Sequence, residues 1–443
     1  MSERRHIPTR CTGGPRKLQV APSWCGANVG IRHGVRRTAS PLAAAVLAFL
    51  IPVTGLALTS EPLATLEGIL DYAWANHPGL QAARLEQEAE EAMVVQARTL
   101  PDPTVSLQAA TMERRLGLGL SQMFPLAGRR QLRSSIALEG ARAAGGMAQA
   151  RSLAVAADVV NAYAEWVFLL RARELVAENL DLVEQLEQVA LTRYRTGEAP
   201  YADVVRAQLE VGRVEEELRS LQEVESAAVG RLNAAMGRPV GAPLPPPLGL
   251  PPVTLSFTDE AVLAAVQESN PELAVLRHQV AASGHRLELA RRGGRPDLMV
   301  GVELMHSGEM NRTGVGAMVG INLPIWRERR AAEVREAGAR SAAAAARVAE
   351  AGLGLEADAR LALFRFRDAG RKAELYAVRL IPQVEQTLAA METAYRGGEA
   401  MFADLVETAR LVLEFRLGLE RARADQWQRL AELEMLMGRR VRS

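Results

Sequence analysis

Tyr194-Arg195-Thr196-Gly197-Glu198 occurs a second time in this chain, as Tyr395-Arg396-Gly397-Gly398-Glu399. Two further matches have the same spacing: Ala202-Asp203 returns as Ala403-Asp404, and Met236-Gly237-Arg238 returns as Met437-Gly438-Arg439. The period, roughly 200 residues, is far longer than the 20–50 residues of solenoid repeats. The chain is therefore predicted to contain a duplicated, domain-sized unit.

Composition favours long helices over a compact aromatic core. Of the 443 residues, 48% are apolar but only 4% are aromatic, as is typical of chains built from long helices. Eight of the 53 basic residues but only one of the 52 acidic residues lie in 1–57, so the rest of the chain carries a net charge of −6. This sign disfavours contact with nucleic-acid phosphates, and we expect no nucleic-acid partner.

Residues 1–57 are predicted to be a signal or leader segment. A basic stretch precedes the apolar run 41–53 and the small-residue pattern Gly55-Leu56-Ala57, which is the order found in secretory signals. The run is too short for a membrane-spanning helix, which needs about 20 residues. Cys11 and Cys25 both precede it, so we expect the exported chain to lack disulfides and thiolate metal sites.

The helical pattern is the same in both copies. Residues 128–195 contain no proline and carry two stripes of apolar residues at helical spacing, which predicts one helix about 100 Å long that packs on two sides. The equivalent helix, 328–395, is interrupted by Pro382, where we expect a kink. Return helices are predicted at 201–236 and 402–437, and shorter opening helices at 63–99 and 257–292.

Beyond the leader, these elements divide the chain into three parts. The first repeat is 58–238, and the second is 257–443. Between them, the linker 239–256 contains seven prolines and is expected to be stiff and extended.

Each repeat also contains a predicted strand pair, at 104–124 and 297–324, between its opening helix and its long helix. Apolar residues there alternate with small or polar ones over about ten positions, as a strand between lipid and an aqueous lumen requires. A half-buried hairpin of a soluble domain would show the same alternation. Four strands cannot close a barrel, because eight is about the minimum. If the strands span a membrane, whose interior does not tolerate open sheet edges, several copies must share one barrel, and three copies supply twelve strands.

The order of opening helix, strand pair, long helix, tip and return helix resembles the TolC-like outer-membrane efflux proteins over residues 58–443. The most specific marks are Tyr194-x-x-Gly197-x5-Asp203-Val204 and its counterpart Tyr395-x-x-Gly398-x5-Asp404-Leu405. Phe124-Pro125-Leu126-Ala127-Gly128-Arg129-Arg130 is similar to a form common in the heavy-metal branch, with Ala127 where proline is usual.

The resemblance implies a mainly α-helical chain that trimerises into a 12-stranded transmembrane β-barrel continuous with a periplasmic α-helical barrel. It implies location in the outer membrane of a Gram-negative bacterium, in contact with its lipid, and a passive role as the outer channel of a tripartite efflux or type I secretion system. The implied partners are two further copies of the chain, a periplasmic adaptor protein and an inner-membrane pump, expected to be of the RND type.

The two tips carry the candidate site residues. Gly197 and Gly398 are predicted to make left-handed turns between antiparallel helices. Asp203 and Asp404 fall in the first turn of a return helix, where a carboxylate stabilises the helix N-terminus, and capping alone would account for both. By the resemblance, Asp404 and Glu407 form an acidic ring at the periplasmic mouth.

The resemblance further implies a closed state in which Tyr395 pairs with Asp203 of a neighbouring hairpin. An arginine that assists in some members is replaced by Ala400, so the lock is expected to be weaker or built differently. Tyr194 and the exposed residues Met401 and Phe402 are candidates for adaptor docking. For the last two, a hydrophobic staple over the turn is the alternative.

No other motif indicates chemistry. The histidines do not cluster at metal-ligand spacing, four methionines near the strands are expected to be fillers rather than soft ligands, and no nucleophile or phosphate-loop pattern is present. We therefore expect neither a cofactor nor an enzyme. A soluble periplasmic coiled-coil adaptor or scaffold is the main alternative, although it has no use for the strand pairs, and a secreted hydrolase is a weaker one.

Overall fold

The computed structural model describes residues 61–110, 114–255 and 257–441, which belong to one compact unit. The predicted leader, 1–57, lies outside the described residues. Each repeat contributes two opening helices, two strands, a long helix and a return helix. The first repeat comprises α1 (Leu66–Asn76), α2 (Pro78–Arg98), β1 (Thr104–Ala110), β2 (Arg115–Phe124), α3 (Arg129–Arg195) and α4 (Tyr201–Ala235). The second comprises α5 (Asp259–Ser269), α6 (Pro271–Arg292), β3 (Leu298–Ser307), β4 (Arg312–Ile321), α7 (Arg327–Leu375), α8 (Ile381–Gly397) and α9 (Phe402–Met437).

The opening helices differ from the prediction, because each is broken in two at a proline. Pro78 and Pro271 are the first residues of α2 and α6, and the residue before each caps the new helix. The Nδ1 of His77 accepts a hydrogen bond from the Gly79 amide at 3.0 Å. Asn270 likewise accepts from the two amides that follow Pro271. The single helices predicted at 63–99 and 257–292 are therefore wrong, since proline favours a first helical position over an interior one.

The return helices end against these breaks, which explains the repeated Met-Gly-Arg motif. Gly237 and Gly438 have φ of +77° and +69°. A Cβ at Gly237 would lie 2.7 Å from the Pro78 ring, and one at Gly438 would collide with the Ser269 carbonyl. Each return helix can therefore approach the opening helices end to end only because its last turn ends in glycine.

The long helix of the second repeat is irregular just before Pro382. A five-residue π-helical turn, Tyr376–Leu380, separates α7 from α8, and Pro382 lies in the first turn of α8. The wider turn accommodates a proline that cannot donate a backbone hydrogen bond. The helix α3 has no such interruption over its 67 residues, and it packs against α2, α4, α6 and α9 as its two apolar stripes predict.

One 18-residue window of α3 is apolar enough on average to cross a membrane, judged by length and composition alone. However, 61% of that window is buried within the protein. Its buried residues include Tyr163 and Trp166, which belong to the main hydrophobic core with Trp427 of α9. The linker crosses the same core, where its Gly249 and Pro251 carbonyls accept hydrogen bonds from Tyr163 and Trp427 at 3.4 and 2.9 Å. The window is therefore part of the core of the helical region.

The four strands form one antiparallel sheet in the order β1-β2-β3-β4. The two copies meet through β2 and β3, which pair from Arg115↔Ser307 to Phe124↔Leu298. Within the described residues, β1 and β4 each have one unpaired edge.

The two faces of the sheet are chemically distinct, as the alternation predicts. One cross-strand row is Leu107, Leu118, Leu304 and Val315, and these side chains are between 47% and 80% exposed. The neighbouring row on the other face is Ser106, Gly119, Glu303 and Gly316. The apolar face of the sheet is therefore exposed, and the other face carries small and polar residues. A sheet in a soluble protein buries its apolar face, whereas a membrane barrel exposes that face to lipid.

Candidate functional site at the hairpin tips

The α3–α4 and α8–α9 hairpins end in matching turns, which we call the hairpin tips (193–204 and 394–405). Gly197 and Gly398 have φ of +76° and +79°. In each tip the amide of the following glutamate reaches back to a carbonyl in the last turn of the helix, at 2.8 Å for Glu198 and 2.9 Å for Glu399. These bonds satisfy carbonyls that would otherwise lack partners at the helix end. Both glycines therefore lie where the repeat predicts them.

The two tips pack against each other inside one chain through a small apolar cluster. Its buried members include Leu186, Val204, Tyr395 and Phe402. Phe402 is only 1% exposed and its ring centroid lies 5.3 Å from that of Tyr395. The expectation that Phe402 is exposed is therefore wrong, and its side chain covers the turn from within, as the staple alternative described. Met401 is 68% exposed.

The first tip repeats this aromatic pair in a different environment. The rings of Tyr194 and Tyr201 lie 5.4 Å apart, but their side chains are 43% and 59% exposed. Tyr201 stands where the second copy has Phe402, at the offset that relates the two motifs. Because each pair occupies the same position in its own hairpin, the sequence could have identified Tyr201 as the partner of Tyr194. With Met401, this pair forms the exposed apolar part of the tips.

Tyr395 lies between charged groups of the first hairpin. The Arg193 guanidinium stacks on its ring, with Cζ 4.7 Å from the centroid, and donates to its backbone carbonyl. Burial raises the pKa of Tyr395, and the nearby charge of Asp203 raises it further while Arg193 lowers it. The hydroxyl has no hydrogen-bond partner within the described residues. The structure thus brings Tyr395 near Asp203 without a hydrogen bond between them, and adds Arg193, which the sequence analysis missed.

The two predicted gate carboxylates on α9 lie on its exposed side. Asp404 is exposed, Glu407 is exposed one turn later, and Arg410 approaches Glu407 at 3.7 Å. Asp203, in contrast, is only 8% exposed and lies 3.9 Å from Arg206 of its own helix. The two first-turn aspartates related by the repeat therefore differ in environment. Neither return helix has a side-chain cap at its N-cap residue, and a first-turn carboxylate complements both N-termini.

Glu210 lies on α4 beyond the first hairpin tip and forms the centre of an ion-pair network between the return helices, which the sequence analysis did not single out. Its side chain is 2% exposed and accepts hydrogen bonds from Arg213 of α4 at 2.8 and 3.1 Å, and from Arg410 of α9. Burial alone raises the pKa of Glu210, but the hydrogen bonds and charges of the two arginines outweigh it and lower the pKa to about 2. The network joins the two return helices one turn from Glu407.

Outside the tips, the histidines and the methionines near the strands are dispersed. Within the described ranges no group of three or more His, Cys, Asp or Glu side chains could hold a metal ion. His278 bonds to Glu139 at 2.7 Å and His306 to Thr313 at 3.1 Å. Met299 and Met318 pack beside glycines of the sheet.

Comparison with known proteins agrees with this architecture. The sequence pattern of the family described as "Outer membrane efflux protein" matches residues 69–238 and 262–439, one match for each repeat. The chain belongs to this family. It is an outer-membrane efflux channel of tripartite systems with a periplasmic helical extension, and the family is one of channels rather than enzymes. Its members form trimers with adaptor and pump partners, so the alternatives of a soluble adaptor and a hydrolase are excluded.

Individual relatives are distant in sequence. The chain is 24% identical over 388 residues to the cobalt-zinc-cadmium resistance protein CzcC of Cupriavidus metallidurans, covering 85% of this chain and 90% of that protein. Among solved structures, VceC of Vibrio cholerae superposes with a TM-score of 0.72 at 17% identity, over 85% of this chain and 97% of VceC. The open state of MtrE of Neisseria gonorrhoeae gives 0.70 at 18% identity, over 85% and 91%. These structures share the fold.

Proposed function

We propose that three copies of this chain close one 12-stranded barrel, edge β1 of each copy pairing with edge β4 of the next. The supporting observation is the sheet itself, which has two unpaired edges within the described residues and a bare apolar face. An unpaired strand edge inside a bilayer leaves backbone groups without hydrogen-bond partners. Pairing between copies satisfies those groups and places the polar row containing Glu303 around a common lumen.

The tips are the periplasmic gate of this channel in our proposal. Asp404 and Glu407 of three copies form a ring of six carboxylates, whose repulsion grows as the ring narrows and whose field attracts cations. In the closed state the Tyr395 hydroxyl pairs with Asp203 of a neighbouring hairpin, and Arg193 holds Tyr395 in position from the side. Arg193 thereby supplies a guanidinium group in place of the arginine that Ala400 replaces.

The adaptor docks, in our proposal, on the exposed aromatic pair of the first tip and on Met401. Tyr194 and Tyr201 are the exposed counterparts of a pair that is buried in the second tip. The turns at Gly197 and Gly398 set the position of both surfaces. Phe402 supports this surface from beneath rather than contacting the adaptor.

The cargo, we infer, is a divalent metal cation delivered by a pump of the RND type. The relative CzcC is described as a cobalt-zinc-cadmium resistance protein, and the exposed carboxylates Asp404 and Glu407 suit passage of cations. A channel that conducts rather than stores the metal needs weak, exposed oxygen ligands instead of a closed coordination site.

Cysteine cross-linking tests the shared barrel, because both native cysteines precede the predicted cleavage site. Ser106→Cys is combined in turn with Gly314→Cys, Gly316→Cys and Met318→Cys, since the register between copies is to be determined. One combination is expected to give disulfide-linked dimers and trimers in denaturing gels.

Gly119→Cys with Glu303→Cys is the matched control, because these positions pair within one chain and will leave the mass unchanged. If no β1–β4 combination links copies while the control forms its internal bond, the proposed barrel is refuted.

A further inference from the structure

Where the sheet meets the helices, the chain carries a dense band of arginine. The register Phe124↔Leu298↔Ile321 places these strand ends together at one end of the sheet. The helices α2, α3, α6 and α7 begin or end there. We call the four junction segments the basic rim: 98–103, 122–133, 291–298 and 321–330. The rim holds ten arginines and three acidic residues, a net charge of +7. Its arginines are Arg98, Arg129, Arg130, Arg133, Arg291, Arg292, Arg295, Arg327, Arg329 and Arg330.

Part of this charge serves the fold. Arg129 pairs with Asp297, Arg292 donates to the Ala127 carbonyl at 3.1 Å, and Arg330 donates to the Pro324 carbonyl. These bonds fix the points where strands become helices. Arg291 and Arg329 pair with glutamates on their own helices at 2.5 and 3.0 Å.

The other five arginines have no such role. All five are exposed and have no ion pair within the described residues: Arg98, Arg130, Arg133, Arg295 and Arg327. Like charges in one band repel each other unless a partner neutralises them. The opposite end of the sheet carries much less charge, since residues 108–117 and 305–314 hold three arginines and two glutamates, a net charge of +1.

The apolar surface beside the rim indicates what kind of partner the rim binds. Leu323, Ile325 and Trp326 are 71%, 67% and 70% exposed, and the apolar face of the sheet begins at the same end of the sheet. Because tryptophan and arginine favour the membrane–water interface while aliphatic residues favour hydrocarbon, the rim lies at the level of lipid head groups.

We propose that the basic rim binds the phosphate head groups of anionic phospholipids in the periplasmic leaflet of the outer membrane. The five arginines that form no ion pair among the described residues supply the charge, and Trp326 with its apolar neighbours holds the rim at the correct depth. This surface is independent of the tip gate and of the metal cargo. The basic rim binds the channel to lipid on the periplasmic side, where the helices leave the membrane.

The test titrates the detergent-solubilised trimer with dioctanoyl phosphatidylglycerol or dioctanoyl phosphatidylcholine and counts bound lipids by native mass spectrometry. Each arginine that reaches a head group is expected to contribute about fivefold, so we expect the unmodified trimer to prefer phosphatidylglycerol by at least about tenfold. Changing all five unpaired rim arginines to glutamine should abolish this preference. The matched control removes five exposed arginines outside the rim that likewise have no ion pair in the part of the chain that the structure describes: Arg84, Arg231, Arg347, Arg365 and Arg379.

Several outcomes would overturn the proposal. A rim variant that keeps the preference, or a control variant that loses it equally, would do so. Glycerol phosphate that competes as well as the lipid would point to a free anion instead. A shifted reversal potential in planar bilayers with unchanged lipid binding would place the arginines in the lumen.

If the rim variant fails to assemble, a measurement on the unmodified trimer still decides the question. Its phosphatidylglycerol preference should fall steeply between 50 and 500 mM salt, since exposed charges are screened over about 10 Å at 0.1 M and less at higher salt. A salt-independent preference would overturn the proposal.

Discussion

Glu210→Gln should loosen the contact between the return helices α4 and α9, because it removes the single charge that both helices share. The carboxylate is 2% exposed and bonds to Arg213 on α4 and Arg410 on α9. Glutamine keeps the size of the side chain but leaves the two guanidinium groups close together without their shared buried counter-charge, so that, among the described residues, only Glu217 and Glu407 remain beside them. The region should open locally while the distant core around Tyr163 is unaffected.

The expected loss of stability follows from the pKa of the Glu210 carboxyl group. Its pKa falls from an ordinary 4.5 to about 2 in the folded chain, and at 1.36 kcal/mol per pKa unit this corresponds to about 3 kcal/mol. The side chains of both arginines are nearly half exposed, so solvent screening reduces the expected loss to about 2 kcal/mol. Because the folded-state pKa is lowered, this stability is fully present above pH 4.5 and is lost as the pH falls towards 2.

Hydrogen exchange of the purified trimer measures this loss. About 2 kcal/mol should accelerate exchange of the amides around Glu210 and Arg410 roughly 30-fold at pH 7. Glu217→Gln is the control, because it breaks only a one-turn pair with Arg213 at 3.0 Å, worth about 0.3–0.5 kcal/mol, and should change exchange about twofold. Equal effects of the two changes would refute the shared-charge argument. Unchanged protection of the amides around Glu210 and Arg410 in the unmodified chain between pH 2.5 and pH 7, after correction for intrinsic exchange rates, would also refute it.

Three further predictions concern the tips. Asp404→Ala with Glu407→Ala should reduce cation preference and block by divalent cations in planar bilayers, and an unchanged reversal potential would count against the carboxylate ring. Gly398→Ala should cost about 1–2 kcal/mol of tip stability, because φ is +79° there, whereas Gly397→Ala should cost far less; exchange at the turn distinguishes the two. Arg193→Gln should free the Tyr395 carbonyl and raise the fraction of time the channel is open, and single-channel records with unaltered opening would contradict that.

The sequence predicts much of this fold because its signals are local and are repeated. The alternation at Leu116, Leu118 and Leu120 directly predicts the bare apolar face, and two glycines at matching offsets predict both left-handed turns. The breaks at Pro78 and Pro271 were also present in the sequence. They were missed because the apolar periodicity continues across them, although a proline preceded by His77 or Asn270 favours a new helix start.

The rest depends on contacts between distant parts of the chain, which periodicity does not encode. Nothing in the two strand pairs indicates that β2 joins β3 in one sheet. Phe402 and Tyr201 occupy equivalent positions, yet only the packing of one hairpin on the other buries the former. The pairing of Glu210 with Arg410 likewise joins residues 200 positions apart. The repeat therefore defines the elements, and their differing surroundings define the site.

The small, polar face of the sheet has a consequence for what the outer end of the channel can discriminate. Six of its positions are glycine, distributed over β2, β3 and β4: Gly117, Gly119, Gly301, Gly314, Gly316 and Gly320. Glycine presents no side chain to a passing solute, so in the proposed barrel this face has few groups besides Glu303 with which to recognise one. In that arrangement, selection among solutes rests mainly on the far end of the channel or on the partners that load it.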